Sequence, residues 1–184
     1  MKRKGLLPCL AAVLCAAMAA AEPARQEFPG FQVSDLTGQT LGVKELFGKA
    51  TVLNFWATWC GPCRTELPAL QSLLNEFGGK GLVVLAVDVD VQVPPEEDWV
   101  GQQLQLAKPR IDAFLQKSNV TLPVYVVDGK TQAELNLERI PLTVLLDGKG
   151  GVVRIYSGYS PAYSKDLREQ VLGILAGRSQ QGGK

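Results

Sequence analysis

The sequence predicts an α/β domain in which helices flank a central mixed β-sheet. Apolar runs over residues 50–57 and 82–89 are typical of strands that are buried on both faces. The amphipathic segment 62–77 between them predicts a helix, and a strand–helix–strand unit of this kind is right-handed and parallel. Segments 142–146 and 152–156 flank a glycine-rich turn, which predicts an antiparallel hairpin.

Shorter patterns predict the remaining elements, and a glycine pair at 78–79 ends the first helix. These elements are an N-terminal hairpin with strands at 31–36 and 40–43, a helical region at 99–118 broken around Pro109, a strand at 124–127, a short helix at 131–137 and a C-terminal helix at 164–175. We therefore expect one domain over residues 22–176, followed by a flexible tail over 177–184.

Composition excludes several classes of function. The chain has 184 residues, which suits one domain with appendages, and its net charge of +1 predicts no nucleic-acid partner. It contains no histidine, so Ser/His/Asp and Cys/His catalytic arrangements and imidazole metal ligands are absent. The chemistry must come from cysteine, carboxylates, tyrosine, lysine or the backbone.

The N-terminus predicts a secretory signal peptide over residues 1–21. Basic residues 2–4 precede the apolar stretch 6–20, and the small alanines that end at Ala21 suit signal peptidase. Cleavage there removes three basic residues, so the mature chain carries 16 basic and 18 acidic residues. The predicted location is periplasmic.

Two other interpretations of this segment are open. It could stay as an uncleaved membrane anchor, although it contains Pro8 and is shorter than the ~20 residues that a span needs. It could also carry a lipid on Cys15, although the bulky Leu14 precedes that cysteine where a small residue is expected.

The mature chain keeps one cysteine pair, Cys60 and Cys63, around Gly61 and Pro62. A disulfide between them closes almost no loop and would stabilise the fold little, which disfavours a purely structural role. Positions i and i+3 in the first turn of a helix are ~5–6 Å apart, close enough for a disulfide. The positive helix end lowers the pKa of Cys60, which predicts Cys60 as the nucleophile and the better buried Cys63 as the resolving cysteine.

Two alternative uses of the pair are disfavoured by the residues around it. A zinc site would need two more cysteine or histidine ligands, and the mature chain has none. Haem attachment would need a histidine after the second cysteine, where this chain has Arg64. No metal site is expected.

The segment NFWATWCGPCRTELPAL, residues 54–70, resembles the active-site segment of TlpA/ResA-type thioredoxin-like proteins. These are extracytoplasmic thiol–disulfide oxidoreductases related to the bacterial cytochrome c maturation reductases. The similarity extends to the N-terminal hairpin and to residues 140–143, and it covers most of residues 28–176. It implies a thioredoxin-like fold with an N-terminal β-hairpin extension.

The resemblance also implies roles for individual residues. Pro141 matches a proline that is cis and faces the cysteine pair, where backbone would be exposed for contact with a substrate. We expect the substrate-binding surface to comprise Trp59, Gly61, Pro62, Ile140 and Pro141.

Glu66 matches a glutamate that such proteins often carry three residues after the second cysteine. Two interpretations stay open: it accepts the proton of Cys63, or it lies on a solvated helix face. Asn54 stands where cytoplasmic thioredoxins carry a buried aspartate, so that proton route is absent.

The predicted function is thiol–disulfide exchange with protein substrates, with no cofactor beyond the redox-active Cys60–Cys63 disulfide. The Gly-Pro dipeptide is shared with thioredoxin, whose reduction potential is about −270 mV, rather than with the oxidant DsbA, at about −120 mV, which favours a reductase. The resemblance implies a membrane electron donor of the DsbD/CcdA kind and, as one client, apocytochrome c. A monomer is expected.

Other functions remain as alternatives. An oxidase or isomerase could use the same residues. A copper carrier of the Sco kind shares the fold but uses a wider cysteine spacing and a histidine. A peroxiredoxin would carry a proline ahead of its reactive cysteine, where this chain has Asn54.

Overall fold

A computed structural model describes residues 25–94 and 98–178. The predicted signal peptide lies outside these residues, as do positions 179–184 of the predicted tail. The strands in the described part are β1 (Gln32–Asp35), β2 (Thr40–Gly42), β3 (Ala50–Trp56), β4 (Leu82–Asp88), β5 (Val124–Val126), β6 (Leu142–Asp147) and β7 (Val152–Ser157). The α-helices there are α1 (Gly61–Phe77), α2 (Trp99–Leu106), α3 (Lys108–Ser118), α4 (Gly129–Glu134) and α5 (Pro161–Leu175).

The strands form one mixed sheet in the order β2-β1-β5-β4-β3-β6-β7. Strands β3, β4 and β5 are parallel neighbours, whereas β3–β6, β6–β7, β1–β5 and β1–β2 pair antiparallel. The predicted mixed sheet and both predicted hairpins are therefore confirmed. The N-terminal hairpin extends the sheet beyond β5.

Strand β3 lies inside the sheet, and all seven of its residues are buried. Its last residue, Trp56, lies opposite Asp88 of β4, and Phe55 lies opposite Leu142 of β6. The segments that follow β3 and β4 and the segment that precedes β6 therefore meet at one end of the sheet.

Helix α1 starts at this end because Pro62 suits a first helical turn, where its missing N–H costs nothing. Its apolar stripe is buried, and the helix runs through Pro68 before it ends at Phe77. The buried side chains of the stripe are Leu67, Leu70, Leu73 and Phe77. The helix starts at Gly61, one residue before the predicted start at Pro62.

The region between β4 and β5 contains two helices, as predicted, but the break is at Ala107 rather than at Pro109. Pro109 instead lies in the first turn of α3, where proline fits well. The buried Gln103 of α2 donates from Nε2 to the carbonyls of Val91 (2.7 Å) and Val127 (2.8 Å). These bonds hold α2 against the ends of β4 and β5.

Helices α1 and α3 lie on the same face of the sheet. Each belongs to a connection between neighbouring parallel strands, β3 to β4 and β4 to β5, that crosses the sheet in the same direction, and such crossovers are right-handed. Phe114 of α3 accordingly packs on Trp56 of β3, with ring centroids 5.2 Å apart.

Helix α5 packs beside α1, and Arg168 Nε donates to Glu76 Oε2 at 3.1 Å. It starts three residues before the predicted position because Ser160 caps it, accepting the Tyr163 N–H at 3.3 Å. Among the described residues, no helix is both long enough and apolar enough to cross a membrane.

Candidate active site

Cys60 and Cys63 form a disulfide at the N-terminus of α1, with Cα atoms 5.3 Å apart. Cys60 is the N-cap residue, and its sulfur accepts the backbone N–H of Cys63 at 3.2 Å. This N–H is one of the donors that a helix leaves unpaired at its start, and it stabilises negative charge on the Cys60 sulfur. The pairing that the spacing predicts is present.

The two cysteines differ less in exposure than the sequence suggests. Cys63 is fully buried, but Cys60 is only 5% exposed and does not lie openly at the surface. Cys63 is thus the better buried of the two, as predicted, but by a small margin. Cys60 remains the cysteine with access to solvent, because the fold leaves Cys63 none.

The residues around Cys60 form an exposed surface. Trp59 is 64% exposed, the highest value among the exposed large apolar side chains of the described residues. Gly61 and Pro62 are exposed as well, and a Cβ built on Gly61 meets no atom within 4 Å. Gly61 and Pro62 are therefore open to solvent between the two buried cysteines.

The peptide bond between Ile140 and Pro141 is cis, as the resemblance implies. Pro141 is buried and Ile140 is half-buried. Because Leu142 lies opposite Phe55, these residues are at the same end of the sheet as the cysteines. The Pro141 carbonyl accepts the Gly158 N–H at 2.8 Å, so that oxygen is already paired within the fold.

Glu66 is fully buried, which contradicts the interpretation of a solvated helix face. Its Oε1 accepts hydrogen bonds from the hydroxyls of Thr143 (2.6 Å) and Tyr163. Its Oε2 has no hydrogen-bond partner among the described residues. The carboxyl group is therefore held firmly by one oxygen and leaves the other without a partner.

Burial raises the pKa of the Glu66 carboxyl above its ordinary value, while hydrogen bonds from Thr143, Tyr163 and Asn54 oppose that rise. Glu66 lies one helical turn after Cys63, so their Cβ atoms are ~5–6 Å apart. A buried acid with a raised pKa beside a buried thiol is a candidate for proton exchange with that thiol.

Asn54, in the central strand β3, belongs to the same hydrogen-bonded cluster as Glu66, Thr143 and Tyr163. Its Nδ2 donates to Thr143 Oγ1 at 2.8 Å, and the Thr143 hydroxyl in turn donates to Glu66. Asn54 itself is fully buried. The residue that replaces the aspartate of cytoplasmic thioredoxins thus supports Glu66 through Thr143.

A second cluster holds the loop that leads to the cysteines. The backbone N–H and the hydroxyl of Thr58 both donate to the carboxylate of Asp90, each at 2.6 Å. Arg110 of α3 lies 3.7 Å from the same carboxylate. Asp90, just beyond β4, therefore fixes the backbone two residues before Cys60.

Asp88 lies beneath this second cluster at the end of β4. Its Oδ1 accepts the Asp90 N–H at 3.0 Å, while its Oδ2 is buried without a partner among the described residues. Burial, with a further contribution from the charge of Asp90, raises the pKa of Asp88 to about 8. The acid is thus largely protonated at neutral pH.

Comparison with known proteins agrees with this geometry. A match to the family described as AhpC/TSA extends over residues 24–172, most of the chain. The chain belongs to the AhpC/TSA family. Among its relatives, the thioredoxin-like protein YneN of Bacillus subtilis (strain 168) is 32% identical over 133 residues, covering 72% of this chain and 71% of the relative. The thiol–disulfide oxidoreductase ResA of Bacillus anthracis is 30% identical over 151 residues, covering 82% and 75%.

Solved structures show the same fold. The thiol:disulfide interchange protein described as DsbE from Chlorobium tepidum superposes with a TM-score of 0.67 at 25% identity, covering 83% of this chain and 98% of that protein. StoA from Bacillus subtilis, at 22% identity and a TM-score of 0.56, shares the fold. This AhpC/TSA protein is a thioredoxin-like thiol–disulfide oxidoreductase of the ResA/DsbE type.

The sequence did not single out Tyr163, Asp88 or Asp90 in this AhpC/TSA protein. Thr143 lies in residues 140–143, to which the similarity with TlpA/ResA-type proteins extends, and this similarity is the one signal that could have pointed to Thr143. No group of three or more cysteine, aspartate or glutamate side chains in the described ranges is placed to hold a metal ion.

Proposed function

We propose that this protein is a periplasmic disulfide reductase that acts on protein substrates through the Cys60/Cys63 couple. One observation carries the proposal: Cys60 caps α1 with a sulfur that accepts the Cys63 N–H and keeps some access to solvent. A sulfur placed in this way is stabilised as a thiolate, which is the attacking form in exchange. The similarity to the thiol–disulfide oxidoreductase ResA supports thiol–disulfide exchange as the reaction.

The exchange takes two steps. In the first, the Cys60 thiolate attacks one sulfur of the client disulfide, forms a mixed disulfide and releases the other client sulfur as a thiolate. In the second, the Cys63 thiolate attacks the Cys60 sulfur, the Cys60–Cys63 disulfide forms, and the second client sulfur leaves. The client gains two electrons, which the protein dithiol loses, and each released thiolate takes up a proton.

Glu66 supports the second step by taking the proton from the Cys63 thiol. Its Oε2 is the oxygen that can receive this proton, because Oε1 already accepts two hydroxyl hydrogen bonds. Burial raises the pKa of this carboxyl, which makes it a stronger base toward the Cys63 thiol than an exposed glutamate.

The client binds across the surface that surrounds Cys60. Trp59, Gly61 and Pro62 are exposed there, and the Ile140–Pro141 segment lies at the same end of the sheet. The large exposed indole of Trp59 is of the kind that contributes strongly to protein–protein contacts.

The direction of electron flow separates the reductase from an oxidase or isomerase that uses the same residues. The Gly-Pro dipeptide between the cysteines supports the reductase. Equilibration of the purified protein with glutathione at fixed ratios gives its potential. A reduction potential of about −270 mV fits a reductase, and one of about −120 mV would contradict it.

The proposal includes secretion with cleavage after Ala21, a membrane electron donor of the DsbD/CcdA kind and apocytochrome c as a client. Residues 1–21 have the basic start, apolar centre and small C-terminal residues of a signal peptide. Mass spectrometry of the mature protein from its native host tests the cleavage site. A chain that starts at Met1 in the membrane fraction would contradict it.

A trapping experiment tests the function. Without Cys63 the second step cannot occur, so Cys63→Ser should hold clients on Cys60 as adducts that reductant releases on gels. Mass spectrometry of the adducts names the clients. The matched control is the double variant Cys60→Ser/Cys63→Ser, which should trap nothing. Absence of adducts from the single variant under all growth conditions would contradict exchange with protein substrates.

A further inference from the structure

A groove of about 380 Å³ lies between the first turns of α1 and the C-terminal half of α3. It is lined by Gly61, Arg64, Thr65, Phe114, Lys117 and Ser118. Gly61 stands between the two cysteines, so the groove opens directly beside the disulfide. The helices between β4 and β5 therefore build one wall of a recess next to the reactive sulfur.

Among the described residues, the lining of the groove includes two basic side chains and no carboxylate. Arg64 and Lys117 are both exposed, and within residues 25–94 and 98–178 neither forms an ion pair. The nearby acid of α3, Asp112, pairs with Lys108, and Glu66 of α1 is buried with a raised pKa. Within the described part of the chain, these two positive charges therefore have no acidic partner beside Cys60.

We infer that this groove, which we call the basic groove, binds an acidic segment of the client polypeptide next to the cysteine that Cys60 attacks. The inference rests on the proposed function, because the groove adjoins the proposed reactive sulfur. Charge complementarity selects the occupant: carboxylates of the client pair with Arg64 and Lys117, while Phe114 and the stem of Lys117 contact the apolar parts of its side chains.

Chain geometry sets where the acidic residue lies in the client. Arg64 follows Cys60 by four residues on α1 and is therefore about one helical turn, ~6 Å, from it. An extended client advances ~3.3 Å per residue. An Asp or Glu two or three positions from the client cysteine therefore reaches the basic groove when the sulfurs meet.

Three synthetic peptide disulfides test the inference, identical except for Glu, Gln or Lys two positions from the cysteine. The rate constant for reduction of each by the reduced protein is divided by the rate constant for dithiothreitol with the same peptide. We expect the order Glu, Gln, Lys, with roughly three- to tenfold between the extremes at low salt and less at high salt. Lys117→Glu should reduce the difference in rate between the Glu and Lys peptides or reverse their order.

The matched control is Lys149→Glu, which makes the same charge change in the exposed β6–β7 turn at the opposite end of the sheet. It should keep the wild-type order. Equal normalised rates for the three peptides, or an order that Lys117→Glu leaves unchanged, would overturn the inference while the proposed function stands. A failure to reduce any of the peptides would overturn both. A third outcome is that the protein binds anionic phosphatidylglycerol vesicles, that Lys117→Glu abolishes this binding, and that the three peptides react equally. The basic groove would then bind a lipid surface rather than a client, and the inference would be overturned.

Discussion

The hydroxyl of Thr143 donates a 2.6 Å hydrogen bond to Oε1 of Glu66. This bond joins the strand that follows cis-Pro141 to the helix that carries both cysteines. Thr143 itself accepts a hydrogen bond from Asn54 Nδ2 at 2.8 Å, so the central strand β3 supports the pair. The carboxyl beside Cys63 is therefore positioned by two strands of the sheet as well as by its own helix.

The first prediction concerns Glu66→Gln, which keeps the size of the side chain but cannot take a proton. We expect release of the mixed disulfide to slow by roughly 100-fold, because the Cys63 thiol loses its proton acceptor. The pH dependence that Glu66 contributes should disappear as well. Stopped-flow measurement of the exchange rate between about pH 5 and about pH 9 checks this.

The pH dependence of the free energy of unfolding tests whether folding raises the pKa of Glu66. The folded-state pKa is above the unfolded value, so wild-type stability should fall as pH rises between the two, and Glu66→Gln should not show this fall. Tyr163→Phe is the companion variant. It removes a hydrogen bond that lowers the Glu66 pKa. The change in exchange rate with pH that Glu66 causes should therefore occur at higher pH in this variant. If the pH dependence of the exchange rate is the same in both variants as in the wild type, a group other than Glu66 causes it.

The second prediction concerns the two thiols of the reduced protein. Cys60 should titrate below the ~8.5 of a free cysteine, because it accepts the Cys63 N–H at the positive end of α1. Cys63 should titrate above that value, because it is fully buried. Alkylation rates of each thiol against pH, resolved by mass spectrometry, give both values. Equal pKa values for the two thiols would contradict Cys60 as the nucleophile.

The third prediction concerns Thr58→Val, which removes one hydroxyl hydrogen bond to Asp90 ahead of Cys60. We expect a loss of about 1–2 kcal/mol in the free energy of unfolding and a slower exchange, since the loop that carries Cys60 loosens. The matched control is Thr37→Val, which removes a 2.7 Å hydroxyl bond to Asp35 in the exposed β1–β2 turn. An equal effect of both variants on the exchange rate would contradict a positioning role for Asp90.

The fourth prediction concerns Asp88→Asn and the pH dependence of stability. The folded pKa of Asp88 is about 8, above the ordinary value of 3.8, so the folded state binds the extra proton between them. Wild-type stability should therefore fall as pH rises through this window, by on the order of 6 kcal/mol, and level off above the folded pKa. Asparagine resembles the protonated acid, and the variant should show a flatter profile in urea unfolding. Parallel profiles would contradict the raised pKa.

Much of the fold could be predicted from local patterns. The continuous apolar runs predicted β3 and β4 because strands inside a parallel sheet are buried on both faces. Proline predicted the start of α1 by a local restriction that packing does not change. The break before α3 was misplaced by two residues, because proline is also favoured in a first helical turn.

By itself, the sequence determined the cysteine couple of this protein, its place at a helix N-terminus and the sheet around it, because spacing and periodicity are local properties. Only the tertiary structure decided the environment of that couple. Glu66 is buried by Thr143 and Tyr163, which are 77 and 97 residues away along the chain, and Thr58 is anchored by Asp90, 32 residues on. A carboxylate on a helix has the same local pattern whether it faces water or a neighbouring element. The packing of distant segments sets its burial, and burial sets its pKa.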